Sequence, residues 1–570
     1  MSTISTENKN ENENVNNNEP QKKEEKPMIV TPWDASGTID YMKLVNQFGT
    51  EIISKELLER FKKVIGKELH PWLRRGIFFT HRAFNKFLDA FENGDPVFLY
   101  TGRGPSTDAM HIGHLIPFMF TKWMQETFNC PLVIQISDEE KAAFKHKPYL
   151  PLYKMGLENA KEIMSCGFDP KKTFIFSNRE YRIHCPLYEN FCTDLKNNIS
   201  IKSIQSIFGL NETGNVSMYD WPIYQSAAAF WQSYPHIFGD RPAYCCVPHA
   251  IDQDPYFRLA RDVASKINLI KPTNIMCTFI PPLTGQEGKM SSSFADSTIF
   301  LNAPEEVIRK KIDEFCYSET KNLDENMAYQ YLRYFEYDDD KLEEYKNGIL
   351  NDTISSKEIK KILSDKICNI VKEIQECRSK IDENVFNDFY KLKPIELPKP
   401  KIKEPTKEET ELYNYLNSIN IKYTTKYHSI ITTQDQIEDL SRNLIGTICK
   451  GILLKSKEGY LYFIVNQQTN INTKLLAKKL KTKSLRFAES DTYLQMLKVN
   501  SKTCPTPFSL INDKEKQILK VLIDNNIPND NKVNFLAMRE DGTTTIEYED
   551  MIKFIDSLKY EKLYIDDNNN

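Results

Sequence analysis

Residues 97–118, VFLYTGRGPSTDAMHIGHLIPF, are the stretch on which the reading of the chain turns. VFLYTG (97–102) is an unbroken apolar run ending in glycine, which reads as a buried strand entering a turn. HIGHLIPFMFTKWMQETF (111–128) follows, with Ile112, Leu115, Met119 and Trp123 spaced for one buried helical face. Between them, Gly102 and Gly104 allow the backbone close to a ligand, and the helix start offers free N–H groups to an anion. His111 and His114 sit three apart in the first turn, so both imidazoles can address one polyanion. Gly113 between them leaves room for a flat base or ribose, and Arg103 beside the strand end is a further phosphate candidate.

Working outward, PLVIQIS (131–137), KTFIFS (172–177), AYCCVP (243–248) and NIMCTFIP (274–281) read as further short buried strands alternating with helices. That alternation predicts an α/β fold with a doubly wound parallel sheet, whose ligands sit at the carboxyl ends of the strands. From Ala303 to Phe389 the chain turns to charged, helix-spaced segments, a helical domain. Residues 1–27 hold almost nothing that can be buried and read as a disordered tail. KLKPIELPKPKIKEPTK (391–407), with four prolines and six lysines, reads as a semi-extended linker that leaves the last module free; its roughly 15 residues reach about 45 Å. The expected units are a tail (1–27), an α/β domain with an N-terminal extension (28–303), a helical domain (304–392), a linker (393–407) and a last module (408–570).

Composition narrows the classes. With 570 residues, 40% hydrophobic and 27% charged, the chain is neither wholly disordered nor fibrous. A balance of 75 Lys+Arg against 79 Asp+Glu excludes a generally basic coat, so any nucleic-acid contact must come from local patches. Twelve cysteines without a C-x-x-C spacing point to a reducing compartment and argue against zinc or disulfide frameworks; no metal-ligating residue is expected. No apolar run approaches the roughly 20 residues of a membrane span, and no targeting leader is evident, so a cytoplasmic protein is expected.

Gly288-Lys289-Met290-Ser291-Ser292-Ser293, after the last predicted strand, falls on the same sheet edge as the histidine pair. Together, in this order, the two segments resemble the paired signatures of class I aminoacyl-tRNA synthetases. LRRGIFFTHR (73–82), TGRGPSTDAMHIGHLIPF (101–118), SDEEK (137–141) and AIDQDPYFRLARDVA (250–264) are similar to the eukaryotic cytosolic tryptophanyl-tRNA synthetases, over roughly residues 30–390. The resemblance implies ATP with Mg²⁺, L-tryptophan and tRNA(Trp) as partners, a homodimer, and an anticodon-reading helical domain. It assigns His111, His114 and Lys289 to catalysis, and Gly102, Arg103, Gly113, Lys289, Ser291 and Ser292 to ATP. Tyr100 and Gln135 would hold the indole nitrogen, while Glu140, Gln225 and Gln253 would grip the amino-acid backbone. An indole presents one donor and no acceptor, so a polar acceptor on an apolar strand such as 131–137 suits it. Tyrosyl-tRNA synthetases share both signatures and remain the alternative. In the helical domain, Tyr329, Tyr331, Arg333, Tyr334 and Phe335 form an aromatic–basic cluster of the kind that reads RNA loops, and Lys310 and Lys311 add charge.

The last module resembles the bacterial Ala-tRNA(Pro) deacylases, relatives of the prolyl-tRNA synthetase editing domain. Lys450 takes the place of that family's tRNA-end lysine, but Gly451 replaces the following asparagine. Phe535-Leu536 lacks the family histidine, and Asn500-Ser501-Lys502-Thr503-Cys504 replaces its glycine-rich run. Three roles stay open: an active deacylase, a tRNA-binding appendage, or an inactive protein-interaction module.

Overall fold

The computed structural model describes residues 28–33, 35–285, 288–291, 297–398, 403–428, 430–431, 433–499, 504–529 and 531–566. Its first sheet has seven strands: β1 (Glu51–Ile52), β2 (Phe78–Arg82), β3 (Val97–Arg103), β4 (Leu132–Ile136), β5 (Thr173–Ser177), β6 (Tyr244–Ala250) and β7 (Thr273–Cys277), in the order β1-β2-β7-β6-β3-β4-β5. The run from β7 to β5 is parallel throughout, and β1 and β2 join as an antiparallel edge. Along β3, Val97 and Leu99 enter one core, while Phe98 and Tyr100 enter the other. Alternation with both destinations apolar means that both faces of the sheet are covered. The chain order reverses between β3 and β6, which makes the gap between their carboxyl ends the place for a ligand.

Strand β2 escapes a hydrophobicity scan because it buries Thr80 and His81, at 0% and 4% exposure. Thr80 is satisfied locally, its hydroxyl lying 2.8 Å from that of Thr50 and donating to Glu51 O at 2.7 Å.

Helices Glu305–Phe315, Met327–Phe335 and Ser356–Arg378 share the core that holds Leu99 and Ile112. The aromatic cluster proposed for RNA reading is part of that core. Tyr331, Tyr334 and Phe335 are 0%, 5% and 3% exposed. Tyr331 donates to Pro281 O at 2.6 Å, Tyr334 donates to Phe279 O at 3.1 Å, and Trp72 Nε1 donates to Tyr334 O at 2.8 Å. Tyrosines tied to backbone carbonyls in this way cannot stack on bases, so the cluster is packing.

The proline-rich segment also differs from a free linker at its start. Ile395 is buried in the second core, Leu397 packs against that core, and Lys393 Nζ donates to Pro170 O at 2.7 Å. A chain ending at Pro398 should therefore be more stable than one ending at Pro394, by about 2 kcal/mol, the scale for burying one large aliphatic side chain. Urea unfolding of the two truncations would check this.

Beyond the linker, β8 (Thr424–Tyr427), β9 (Thr447–Ser456), β10 (Tyr460–Asn466), β11 (Leu485–Phe487), β12 (Ile518–Asp524), β13 (Lys532–Leu536), β14 (Gly542–Glu547) and β15 (Glu561–Ile565) build a second, mixed sheet. Its order is β8-β14-β13-β9-β10-β12-β15, with β11 on β9. It has its own core around Leu412, Leu453, Tyr462, Phe508 and Phe554.

Candidate active site

The carboxyl ends of β3, β4, β6 and β7 converge on one edge. After β3, Arg103 Nε donates to Asn159 Oδ1 at 3.1 Å, while Asn159 Nδ2 holds the following loop through Thr107 O and Asp108 O. A terminal guanidinium nitrogen of Arg103 is buried with no hydrogen-bond partner. Burial lowers the Arg103 pKa to about 10, so it stays cationic at neutral pH. A buried cation with an unmet donor is an unfavourable arrangement that a phosphate oxygen would relieve.

The His111 and His114 rings stack with centroids 3.5 Å apart. His111 N–H donates to His114 Nδ1 at 3.2 Å, which puts the His114 proton on Nε2. Burial first, then the nearby Arg103 charge, pushes His111 down to about 3 and His114 well below its ordinary range. Both are neutral N–H donors. A Cβ at Gly113 would lie 2.8 Å from Ile280 and 3.1 Å from the His111 ring, so the space read as a slot for base or ribose is filled. The glycine is needed for the histidine to fold over the helix start.

Between β3 and β4 lies a buried polar chain. Tyr100 hydroxyl donates to Gln135 Oε1 at 2.7 Å; Gln135 Nε2 donates to Asn178 Oδ1 at 2.8 Å; Tyr188 hydroxyl donates to the same oxygen at 3.1 Å. The amide of Gln135 is thereby oriented with its oxygen toward Tyr100, and the Tyr100 oxygen keeps lone pairs for an incoming donor. Gly102 lies against this pair, with its would-be Cβ 3.1 Å from Gln135 O. Gln225 Nε2 donates to Gln253 Oε1 at 3.2 Å, Trp221 Nε1 to Gln225 Oε1 at 3.2 Å, and Gln253 Nε2 to Pro32 O at 3.3 Å. Glu140 is buried beside Arg103, paired with Lys141 at 3.2 Å. A Cβ at Gly104 would lie 2.1 Å from its Oε2, so any side chain there would displace the Glu140 carboxylate.

Lys289 Nζ is 2.6 Å from Asp252 Oδ2, just past β6, and 5.2 Å from the centre of the Phe279 ring. Its charge is felt at both histidines. Ser291 O accepts from Thr298 Oγ1 at 2.8 Å, whereas Ser292 lies outside the described residues. Asn178, Tyr188 and Asp252 escaped the sequence reading. The signal for Asn178 was its place directly after KTFIFS, at the carboxyl end of a parallel strand.

In the module, Lys450 Nζ donates to Gln467 O at 2.8 Å, and burial lowers its pKa. Gly451 has a physical reason: a Cβ there would lie 2.0 Å from the Tyr462 hydroxyl, which donates to Thr506 O at 2.8 Å. An asparagine cannot be placed at this position while Tyr462 keeps its hydrogen bonds. Phe535 packs edge-on against Phe508, and residues 500–503 lie outside the described residues.

Similarity to known proteins divides along the same two bodies. The model of class I tRNA synthetases for W and Y matches residues 92–391, and that of the aminoacyl-tRNA editing domain matches residues 432–554. The cytoplasmic tryptophan–tRNA ligase of Saccharomyces cerevisiae is 41% identical over 413 residues, covering 67% of this chain and 95% of the yeast protein. The human cytoplasmic enzyme is 40% identical over 387 residues, covering 65% and 82%. Among solved structures, the tryptophanyl-tRNA synthetase of Encephalitozoon cuniculi bound to tryptophan superposes with a TM-score of 0.58 at 38% identity, over 62% of this chain and all (100%) of that one. The Plasmodium falciparum enzyme gives 0.57 at 38% identity, over 62% and 97%. Histidines stacked at a helix start, a lysine across the sheet edge and this breadth of similarity agree: the chain belongs to the class I tRNA synthetases of the W and Y family and carries an aminoacyl-tRNA editing domain behind them.

Proposed function

We propose that the chain is a tryptophan–tRNA ligase that activates L-tryptophan with ATP and transfers it to tRNA(Trp). The observation that carries this is the Tyr100–Gln135 pair, an oriented acceptor pair buried beside the histidine and lysine signatures. A tryptophan carboxylate oxygen attacks the α-phosphorus of ATP; the bond to the bridging oxygen breaks and pyrophosphate leaves with the electron pair. A ribose hydroxyl of the terminal tRNA adenosine then attacks the activated carbonyl and releases AMP.

The protein's share is positioning and charge. Arg103 and the neutral His111 and His114 donate to phosphate oxygens, and Gly102 keeps the end of β3 free of a side chain there. Lys289 leaves Asp252 for the departing pyrophosphate, and Ser291 lies two residues on from it in the chain. Mg²⁺ bound with the triphosphate would add positive charge to the leaving pyrophosphate, beside Lys289 and Arg103. Tyr100 and Gln135 take the indole N–H, and Glu140, Gln225 and Gln253 take the ammonium and carboxylate.

We place the enzyme in the cytoplasm, as the names of its relatives do; its twelve cysteines are all unpaired, and no helix among the described residues is long and apolar enough to cross a membrane. Ile183, Leu187, Ile201 and Val216, all more than half exposed, support a homodimer surface. The module binds or deacylates acylated tRNA ends through Lys450. Pyrophosphate exchange that depends on tryptophan is the test of the main reading, and exchange with tyrosine alone would replace it with a tyrosine enzyme.

A further inference from the structure

Met110 is the residue from which the histidine segment enters its helix, and both of its backbone groups are held. Its N–H donates to Glu162 Oε2 at 2.6 Å, and its carbonyl accepts from Leu301 N–H at 2.9 Å. Ile112 N–H donates to Ile299 O at 2.9 Å, and His111 pairs with Phe300 in antiparallel register. Residues 110–112 and 299–301 thus form a short ladder, and His111, with extended φ of −103° and ψ of 164°, is its middle rung. The lysine loop is tied to the same ladder, because Thr298 reaches back to the carbonyl of Ser291, two residues past Lys289.

Both sides of this ladder lead to the last turn of one helix, Ser356–Arg378. Gln375 Nε2 donates to Leu301 O at 2.8 Å and to Ala303 O at 3.0 Å. Arg378, three residues on and so on the same helix face, donates to Glu158 Oε2 at 2.6 Å and stands 3.2 Å from Glu162 Oε1. Glu158, Asn159 and Glu162 belong to the helix Tyr149–Met164. Asn159 holds Arg103 and the loop after β3, and Glu162 lies three residues further on, so one buried helix face serves both the arginine and Met110. Burial pushes the Glu162 carboxyl up to about 7; the Met110 N–H, Arg378 and Arg103 pull it down, and Glu158 pushes it up. Without Arg378 it would take up a proton near neutral pH, and its hold on the Met110 N–H would weaken.

We propose that Gln375 and Arg378 are positioning residues for adenylate formation, holding the histidine segment from its two sides, Gln375 through residues 299–303 and Arg378 through Glu162. Neither is among the groups assigned to ATP or tryptophan. Their work is to fix the Met110 peptide groups, and with them the direction in which the His111 and His114 rings leave the helix start. Donors fixed in this way need no reordering when the phosphate arrives. The inference rests on the ATP-dependent activation proposed above. It concerns the rate of that step and not the choice of amino acid, since no group of the Tyr100–Gln135 chain belongs to the ladder.

The test is single-turnover adenylate formation by the full chain, with whichever of tryptophan and tyrosine the parent protein activates. A tyrosine enzyme would then end the specificity reading and leave this test intact. Arg378→Met and Gln375→Met should each slow the step at least about tenfold, the scale for a small misplacement of groups at the reacting phosphate. Affinity for the amino acid, measured without ATP, should stay within about twofold. Arg378→Lys should recover most of the loss, because an ammonium also keeps Glu162 ionised. Glu162→Gln should be slow as well, and adding Arg378→Met to it should cost less than about a further twofold, because the arginine acts through that carboxylate. Thermal midpoints establish that each variant is folded in the assay, and the Arg378 and Glu162 variants decide the matter if Gln375→Met unfolds. Rates within about twofold of the parent in the folded variants overturn the proposal. So does a full multiplicative loss in the double variant, or a fall in amino-acid affinity as large as the fall in rate.

Discussion

Lys289→Ala should slow tryptophanyl-adenylate formation by about 10²–10³-fold, the scale for losing one preorganised donor at the point where charge develops. The structure sharpens this expectation. Lys289 is held by Asp252 at 2.6 Å and lies over Phe279, so its charge stands on the edge of the site. Its benefit is largest when the leaving group carries most charge. Single-turnover adenylate formation is the direct measurement, with tryptophan affinity measured alongside in the absence of ATP. Affinity should change by less than about twofold, since no group of the Tyr100–Gln135 chain touches the lysine. A fall in affinity as large as the fall in rate would mean that Lys289 serves the ground-state structure through Asp252.

Gln135→Ala should cost about 2–3 kcal/mol of tryptophan binding, or roughly 30–150-fold in affinity. Gln135 is fully buried and is the central link of its chain, taking a proton from Tyr100 and giving one to Asn178. Its removal leaves the Tyr100 hydroxyl unmet and free to rotate away from the indole, while Asn178 keeps the Tyr188 hydroxyl on its amide oxygen. Tyr100→Phe is the milder companion, because the ring packing survives and only one oxygen is lost. Calorimetric titration with tryptophan, read beside the thermal midpoint of each variant, separates lost recognition from lost folding. An affinity within about threefold of the parent in a folded Gln135→Ala protein would make the amide a structural link only.

The parts of this molecule that are legible in its sequence are those where one physical demand dominates. Strands β3 to β7 are written as apolar runs because both sheet faces are buried. The helix after β3 shows its spacing for the same reason. What the sequence conceals are places where two demands look alike. Tyr331 and Tyr334 have the spacing of a base-stacking platform, yet their hydroxyls end on backbone carbonyls inside a core. Asp252 and Asn178 look like ordinary loop polarity; only the sheet, by bringing their strand ends together, makes them neighbours of the lysine and the glutamine. Ile395 is concealed by the prolines around it, whose composition advertises an extended chain while two apolar side chains supply anchors.

The seating of Ile395 and Leu397 also sets how far the module can stray. Measured from Pro398 to Thr406, the cap of the module's first helix, the tether is eight residues, or about 25 Å when extended. Half the composition-defined linker is therefore anchorage and not rope. The module's Lys426 pairs with Asp95 of the catalytic body at 2.8 Å. A module on so short a leash, once it parts from that contact, returns to the same surface at an effective concentration in the millimolar range. Parting and return of the two bodies would then be events within one chain, so dilution should leave their rates unchanged.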